Sequence, residues 1–513
     1  MSDWTSGYVT DVGYTFGYYT ELNPLRIRLA FLNAGLVFPD GGAACELGFG
    51  QGMSVNIHAA AAASTWQWHG TDFNPLQAGF AKELSSVSGA GANLHDLSFA
   101  EFCNRDDLPD FDFIGLHGIW SWISDENRSI IVDFLRRKLK VGGVFYISYN
   151  TQPGWAALIP LRDLFVRHAE VMGAKGHGSV KKVEESLAFA EKLIATNPLY
   201  SRVFPQIAER LKKMKEQNRN YLAHEYFNQD WEPMSVDRMA DWLTSAKMSY
   251  ACSAHFPDHI DALNLSAEQI SLLQQIPDQI FREMVRDFCV NQQFRRDYWV
   301  KGARRLFPLE QAEKLKEQKV VLVLPKADIS LKVMGALGEA NMQEAVYLPV
   351  IDALGNYQPK TLGQIEQVVK DKGVQYAQAV QAVTVLMGNG AIQLAQEPSA
   401  VKSAKKYTEK LNSYLLDKAR FTGEMSFLAS PITGGGIAVG RFQQLFILAI
   451  NSGKKQPDEW ASFAWNILAS QNQRVIKDGK VLEKPEENLS ELNDQARIFA
   501  DKQLQVMKQL LIL

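Results

Sequence analysis

The chain has only four cysteines in 513 residues, Cys45, Cys103, Cys252 and Cys289, all far apart. Without a C-x-x-C pair there is no ready zinc or redox-disulfide motif, and each cysteine sits in an apolar neighbourhood that suits a small core residue. No apolar run approaches the ~18 residues of a membrane span. The opening MSDWTSGY has neither a basic start nor an apolar stretch of the secretory kind, so a cytoplasmic protein without a membrane span is expected. A basic excess is missing too. The formal net charge is -3 and the pI near 6.3, which argues against nucleic acid as the main partner. The local run Leu211-Lys212-Lys213-Met214-Lys215 reads as a solvated helix face. No Cys-His or Ser-His-Asp nucleophile constellation is evident, and no metal site is expected.

What is present is a chain too long for one ordinary core, with about 150 residues per domain as the guide. Residues 1 to about 170 alternate short apolar runs with helical stretches, which is the pattern of a parallel α/β sheet. Strands are expected at Ala43 to Leu47, Trp66 to Thr71, Ala92 to His95, Phe111 to Leu116 and Val144 to Ser148. From about 171 to 325 the pattern turns helical and charged, with little strand signal before Val320 to Leu324. Residues 326–398 carry three helices, a Gly388-Asn389-Gly390 turn and a short strand, the outline of a winged helix. The remainder, 399–513, reads as mostly helical.

The stretch ELGFGQG, Glu46 to Gly52, follows the first strand. Three glycines there imply a ligand close to the backbone. A dinucleotide fingerprint needs G-x-G-x-x-G, and counting from Gly48 the third position is Met53. The loop is G-x-G-x-G instead (Gly48, Gly50, Gly52, with Phe49 between), and no Lys-Ser or Lys-Thr follows to make a P-loop. Glu46, two positions before the first glycine, suits a cationic amine better than a pyrophosphate. Asp72 ends the second strand beside Phe73, where a carboxylate can accept both ribose hydroxyls. Asp96, beside Leu97, ends the third, where an oxygen could meet an adenine amino group.

Acid-G-x-G-x-G with acids after strands two and three resembles the class I methyltransferases that bind S-adenosylmethionine. Two further stretches, HGIWSWIS (His117 to Ser124) and YISYNTQPGW (Tyr146 to Trp155), resemble signatures of the bacterial protein-lysine methyltransferases that modify rickettsial outer-membrane proteins. YLAHEY (Tyr221 to Tyr226) looks like the opening of that family's methyltransferase regulatory domain, and Phe294-Arg295-Arg296 fits near its end. The chain departs from the family at Asn23-Pro24, where a histidine usually precedes the proline. The resemblance implies a Rossmann-like methyltransferase domain, S-adenosylmethionine as methyl donor and a protein lysine as acceptor, with the middle domain of regulatory type.

An amine acceptor needs a dry aromatic slot, which desolvates the ammonium and holds the cation formed on transfer. The residues read as lining it are Trp120, Trp122, Tyr149, Asn150 and Trp155, with ordinary core packing as the alternative for each aromatic. Tyr146 falls on the other face of its strand from Tyr149. His117 follows strand four, where it would touch the methionine moiety. His224 and Glu225 form a candidate base pair reaching in from the middle domain. Tyr14, Tyr18 and Tyr19 could fold over the cofactor as a lid or simply anchor the N-terminus. The 300-odd residues beyond the first domain suggest a large protein acceptor or homodimerisation. Two alternatives stay open: a glycan or lipid-precursor acceptor, and a non-catalytic protein that senses S-adenosylmethionine.

Overall fold

Local chemistry sets the elements that build the site. The computed structural model describes residues 13, 15–174, 176 and 178–513. Strand β1 (Gly42–Leu47) is buried along five of its six positions, as a strand covered on both faces must be. A glycine loop leads into α2 (Met53–Ala61), which follows the first helix, α1 (Pro24–Asn33). Then come β2 (Trp66–Thr71), α3 (Pro75–Ser88), β3 (Asn93–His95), α4 (Phe99–Cys103) and β4 (Phe111–Leu116). Asn74 caps α3 with Pro75 in its first turn, and Gly89 ends it in the left-handed region. The next helix, α5 (Asp125–Lys138), has the charges its dipole asks for: Asp125 and Glu126 first, Arg136 to Lys138 last. Strand β5 (Leu139–Asn150) follows, then α6 (Ile159–Val171).

The sheet has seven strands in the order β3-β2-β1-β4-β5-β7-β6, where β6 is Met248–Ser253 and β7 is Phe294–Lys301. Strands β1 to β5 are parallel; β7 runs antiparallel to both β5 and β6. The order reverses between β1 and β4, which opens a crevice at their carboxyl ends.

The expected sheet was parallel and confined to the first 170 residues. It is mixed, and the stretch read as helical supplies two of its strands. The reason lies in β7, whose buried Arg295 and Asp297 break the look of a strand in sequence. Arg295 pairs with Glu283 at 3.0 Å, Asp287 at 2.6 Å and Asp297 at 2.9 Å. Only the folded chain shows how that charge is met.

Apolar packing falls into three clusters. One runs from α1 and α2 across one sheet face and on through the C-terminal helices to Ile512. A second covers the opposite face under α4 and α5. A third joins Trp155 and α6 to the helices as far as Tyr226. In the segment read as winged-helix-like, helices Glu344–Ala353, Leu362–Lys370 and Tyr376–Gly388 form, with a small sheet of Lys360–Thr361, Lys319–Leu322 and Ile392–Leu394. Its central strand comes from before residue 326. Beyond 399 the chain is helical apart from short hairpins, and the hairpin Phe427–Ser430/Gly435–Ala438 packs against α2.

Candidate functional site

The crevice between β1 and β4 is a cleft lined by Glu46, Gly48, Phe49, Gly50, Asp72, Phe73, Leu97 and His117. All eight were singled out in the sequence. The loop that builds it turns on three left-handed glycines, at φ +70 for Gly48, +56 for Gly50 and +72 for Gly52. They do different work. A Cβ on Gly48 would sit 2.0 Å from Ile119 Cδ1, on the cleft wall, so this glycine keeps the wall open. A Cβ on Gly52 would sit 2.4 Å from Ala81 Cβ, so Gly52 serves the packing of α3 against the loop and does not line the cleft.

Asp72 holds the loop. Its Oδ2 accepts the Gly50 N–H at 2.8 Å and its Oδ1 accepts the Asn74 N–H at 3.0 Å. Burial pushes its carboxyl up to about 6, although those two donors pull the other way. Glu46 is 2% exposed, and its Oε2 finds no hydrogen-bond partner among the described residues. Burial, with the nearby Asp72 charge, holds its carboxyl well above the usual range. A buried carboxylate oxygen without a donor is costly, and a ligand ammonium would supply one.

His117 closes the β4 side. Its Nδ1 lies 2.8 Å from the Tyr146 hydroxyl, and the Tyr19 ring stacks on it at 3.6 Å. Burial lowers its pKa to about 4, so the ring is neutral at physiological pH. Tyr19 therefore does lie over the cleft. Tyr18 does not: its hydroxyl meets His58 Nε2 at 3.0 Å and its ring packs on Phe427. Tyr14 lies outside the described residues.

The remaining expectations fare differently. Asp96 is not in the cleft; its carboxylate pairs with Lys82 at 2.6 Å on the surface, and Leu97 and Ser98 line the wall instead. Trp120 is fully buried, with its indole N–H on Met234 Sδ at 3.4 Å and its ring edge-on to Trp242. Tyr149 is buried and donates to Asp297 Oδ2 at 2.9 Å, away from the cleft. Trp155 packs on Tyr226 and Trp231. Asn150 is buried and works through its backbone: its N–H donates to Ser121 Oγ and its carbonyl accepts from Met234. His224 and Glu225 sit on the helix Arg219–Tyr226, off the cleft. Burial raises the Glu225 carboxyl to about 7 against the pull of Arg210 and Tyr221. Asn23, at the family's histidine position, caps α1 by accepting the Leu25 N–H at 3.0 Å.

Two groups of cleft residues escaped the sequence reading. Phe99, Ile119 and Ile123 form apolar walls, and Asp230 reaches in from the segment after helix Arg219–Tyr226. No spacing rule links residue 230 to the end of a strand a hundred residues earlier.

Residues 218–301 match the family described as the predicted methyltransferase regulatory domain. An uncharacterized protein of Synechocystis is 41% identical over 512 residues, 99% of both chains. This chain belongs to the same family as that Synechocystis protein, and it carries the methyltransferase regulatory domain. A shorter uncharacterized protein of Rickettsia prowazekii is 27% identical over 224 residues, 43% of this chain and 80% of its own. In fold, the chain is similar to PKMT2 of Rickettsia typhi in complex with AdoHcy, with a TM-score of 0.70 at 19% identity. That likeness covers 98% of this chain and 100% of the other. The regulatory domain of this family member includes both β6 and β7, so it completes the sheet, and it includes Asp230 in the cleft wall. Among the described residues no helix is long and apolar enough to cross a membrane.

Proposed function

We propose that the protein is an S-adenosylmethionine-dependent methyltransferase whose acceptor is a lysine side chain of a protein. The observation that carries the donor reading is the buried Glu46 carboxylate, one oxygen unpartnered, beside Asp72 at a left-handed glycine loop. Glu46 would take the amino group of the donor and Asp72 the ribose hydroxyls. Leu97, Phe99, Ile119 and Ile123 would bracket the adenine. The AdoHcy named with the rickettsial neighbour is the demethylated form of the same donor. The sulfonium, when bound, supplies an activated methyl group that an amine lone pair can take as the carbon–sulfur bond breaks.

The chain's own part is to orient, to exclude water and to keep the acceptor nitrogen unprotonated. Gly48 lets the donor approach the backbone, and Tyr19 over His117 closes one side. His117, neutral and tied to Tyr146, adds no positive charge next to a sulfonium. A lysine near pKa 10.4 must lose its proton before attack, and the apolar wall favours the neutral amine by desolvation. The lysine part of the reading is supported by the resemblance to the rickettsial enzymes. The regulatory domain here would form a wall of the acceptor site.

The test is to incubate the protein with tritiated S-adenosylmethionine and a lysate separated into protein, glycan and lipid. Label in a protein band, mapped to lysine and lost in Asp72→Asn, is expected. Label in the glycan or lipid fraction would refute the protein acceptor.

A further inference from the structure

The cleft is lopsided in charge. Glu46, Asp72 and Asp230 line it, and no lysine or arginine does so among the described residues. Glu46 and Asp72 stand at the ends of β1 and β2, where the donor is held on the reading above. S-adenosylmethionine carries a carboxylate, an ammonium and a sulfonium, so it brings a single net positive charge. The Asp230 carboxylate is left over. It makes no hydrogen bond or ion pair within 4 Å among the described residues, although the neighbouring Arg162 feels its charge.

Its place is fixed from two sides. The segment after Asp230 is sewn across the carboxyl ends of β4 and β5. Glu232 N–H donates to the Ser121 carbonyl at 2.8 Å, and Met234 N–H donates to the Asn150 carbonyl at 2.9 Å. The Thr151 hydroxyl donates to the Met234 carbonyl at 2.7 Å, and Arg128 holds Glu232 at 2.6 Å. From behind, Arg162 donates to the Asn228 carbonyl and lies over the Trp231 ring, which Trp155 also packs against. In a sheet of this kind the ligand crevice lies outside those carboxyl ends. Asp230 therefore lines the cleft from a buttressed segment at the carboxyl ends of β4 and β5, and Trp122 lines the same cleft.

We propose that Asp230 is the specificity-determining residue for the acceptor, selecting a cationic amine. It attracts and aligns the ammonium as it enters a cleft that the Trp122 ring also lines, and leaves a neutral sugar hydroxyl without a matching charge. This rests on the donor reading above. It also gives the regulatory domain a direct part in substrate choice.

The test needs no knowledge of the natural acceptor. Two AdoHcy analogues with nitrogen in place of sulfur would carry, on that nitrogen, either a 2-ammonioethyl arm or a propyl arm of equal length. The ammonium arm reaches where the acceptor nitrogen would sit. In the parent protein it should bind about ten- to a hundred-fold tighter than the propyl arm, as a charge-assisted hydrogen bond warrants. In Asp230→Asn the preference should fall to near unity while AdoHcy affinity stays within about threefold, and Asp230→Glu should keep part of it. Equal binding of the two arms by the parent protein, or a preference that survives in Asp230→Asn, would overturn the assignment. Failure of AdoHcy itself to bind the parent would instead overturn the donor reading, and this proposal with it.

Discussion

Replacing Asp72 with asparagine should weaken ligand binding while relieving the free protein of a buried charge. The Asp72 carboxyl is raised from 3.8 to about 6, chiefly by burial. A raised pKa means the native state holds its proton longer than the unfolded chain does. The stability tied to this group is therefore fully present below about pH 3.8 and is lost as pH rises to about 6. Two units amount to about 3 kcal/mol of native-state cost at neutral pH. The asparagine removes that cost, but it leaves Gly50 or Asn74 without a good acceptor, a loss of about 1–2 kcal/mol that does not depend on pH. The stability difference between variant and parent should then grow by about 1.5 kcal/mol between about pH 5 and pH 7, and level off above. Denaturant unfolding followed by tryptophan fluorescence at both pH values measures it. In the same variant AdoHcy affinity should fall by about 2–4 kcal/mol, roughly 30- to 1000-fold, as charged acceptors for the ribose hydroxyls are lost. A stability difference that does not change with pH, or an undiminished affinity, would refute the placement of Asp72 as a buried ligand-holding carboxylate.

The glycines should separate binding from folding: Gly52→Ala, with its Cβ 2.4 Å from Ala81 at φ +72, should cost about 2–5 kcal/mol of stability from strain and overpacking. Gly48→Ala bears the same left-handed strain at φ +70, about 1–2 kcal/mol, but its Cβ meets the tip of Ile119 on the cleft wall and not α3, so it should cost less stability than Gly52→Ala and abolish AdoHcy binding by calorimetry; the opposite pattern would reverse the roles given to the two positions. Ligand affinity should fall as pH drops below about 6, by up to tenfold per unit, because Asp72, its carboxyl raised to about 6, then takes up a proton in the free protein that the complex must release, and burial shifts Glu46 in the same direction. Calorimetry in buffers of different ionisation heat should count protons released, and uptake would contradict this. Finally, Gly435→Ala puts a Cβ 2.5 Å from the Tyr18 hydroxyl, so it should shift the strap that carries Tyr19 and cost about fivefold in AdoHcy affinity, or ~1 kcal/mol. An unchanged affinity would show that the C-terminal hairpin does not position the strap.

The glycine loop was legible because its signal is local. Three residues must turn left-handed within five positions after a strand, and Asp72 follows one βα unit later. Four of the five expected strands agree with the structure to within a residue at each end for the same reason, since they are short apolar runs between turn residues; β5 extends beyond its expected span at both ends. Strand β7 was not legible, because Arg295 and Asp297 look like surface residues until Glu283 and Asp287 are brought to them from a helix.

The aromatic acceptor slot shows where one-dimensional reasoning stops. Alternation along β5 does put Tyr146 and Tyr149 on opposite faces, as expected. It cannot say which face leads to the ligand. Tyr146 turns out to hold His117 at the cleft, while Tyr149 goes to the buried Arg295 network. Likewise Asp96 and Leu97 are neighbours in sequence, yet only Leu97 reaches the cleft, since the strand end directs the preceding carboxylate to Lys82. Tryptophans near strand ends are equally good core residues, and Trp120 and Trp155 are both buried as such. Trp155 nevertheless backs Trp231, next to Asp230. The wall of the cleft that carries Asp230 thus depends on contacts between residues some 80 to 110 positions apart, which the folded chain makes and no local pattern announces.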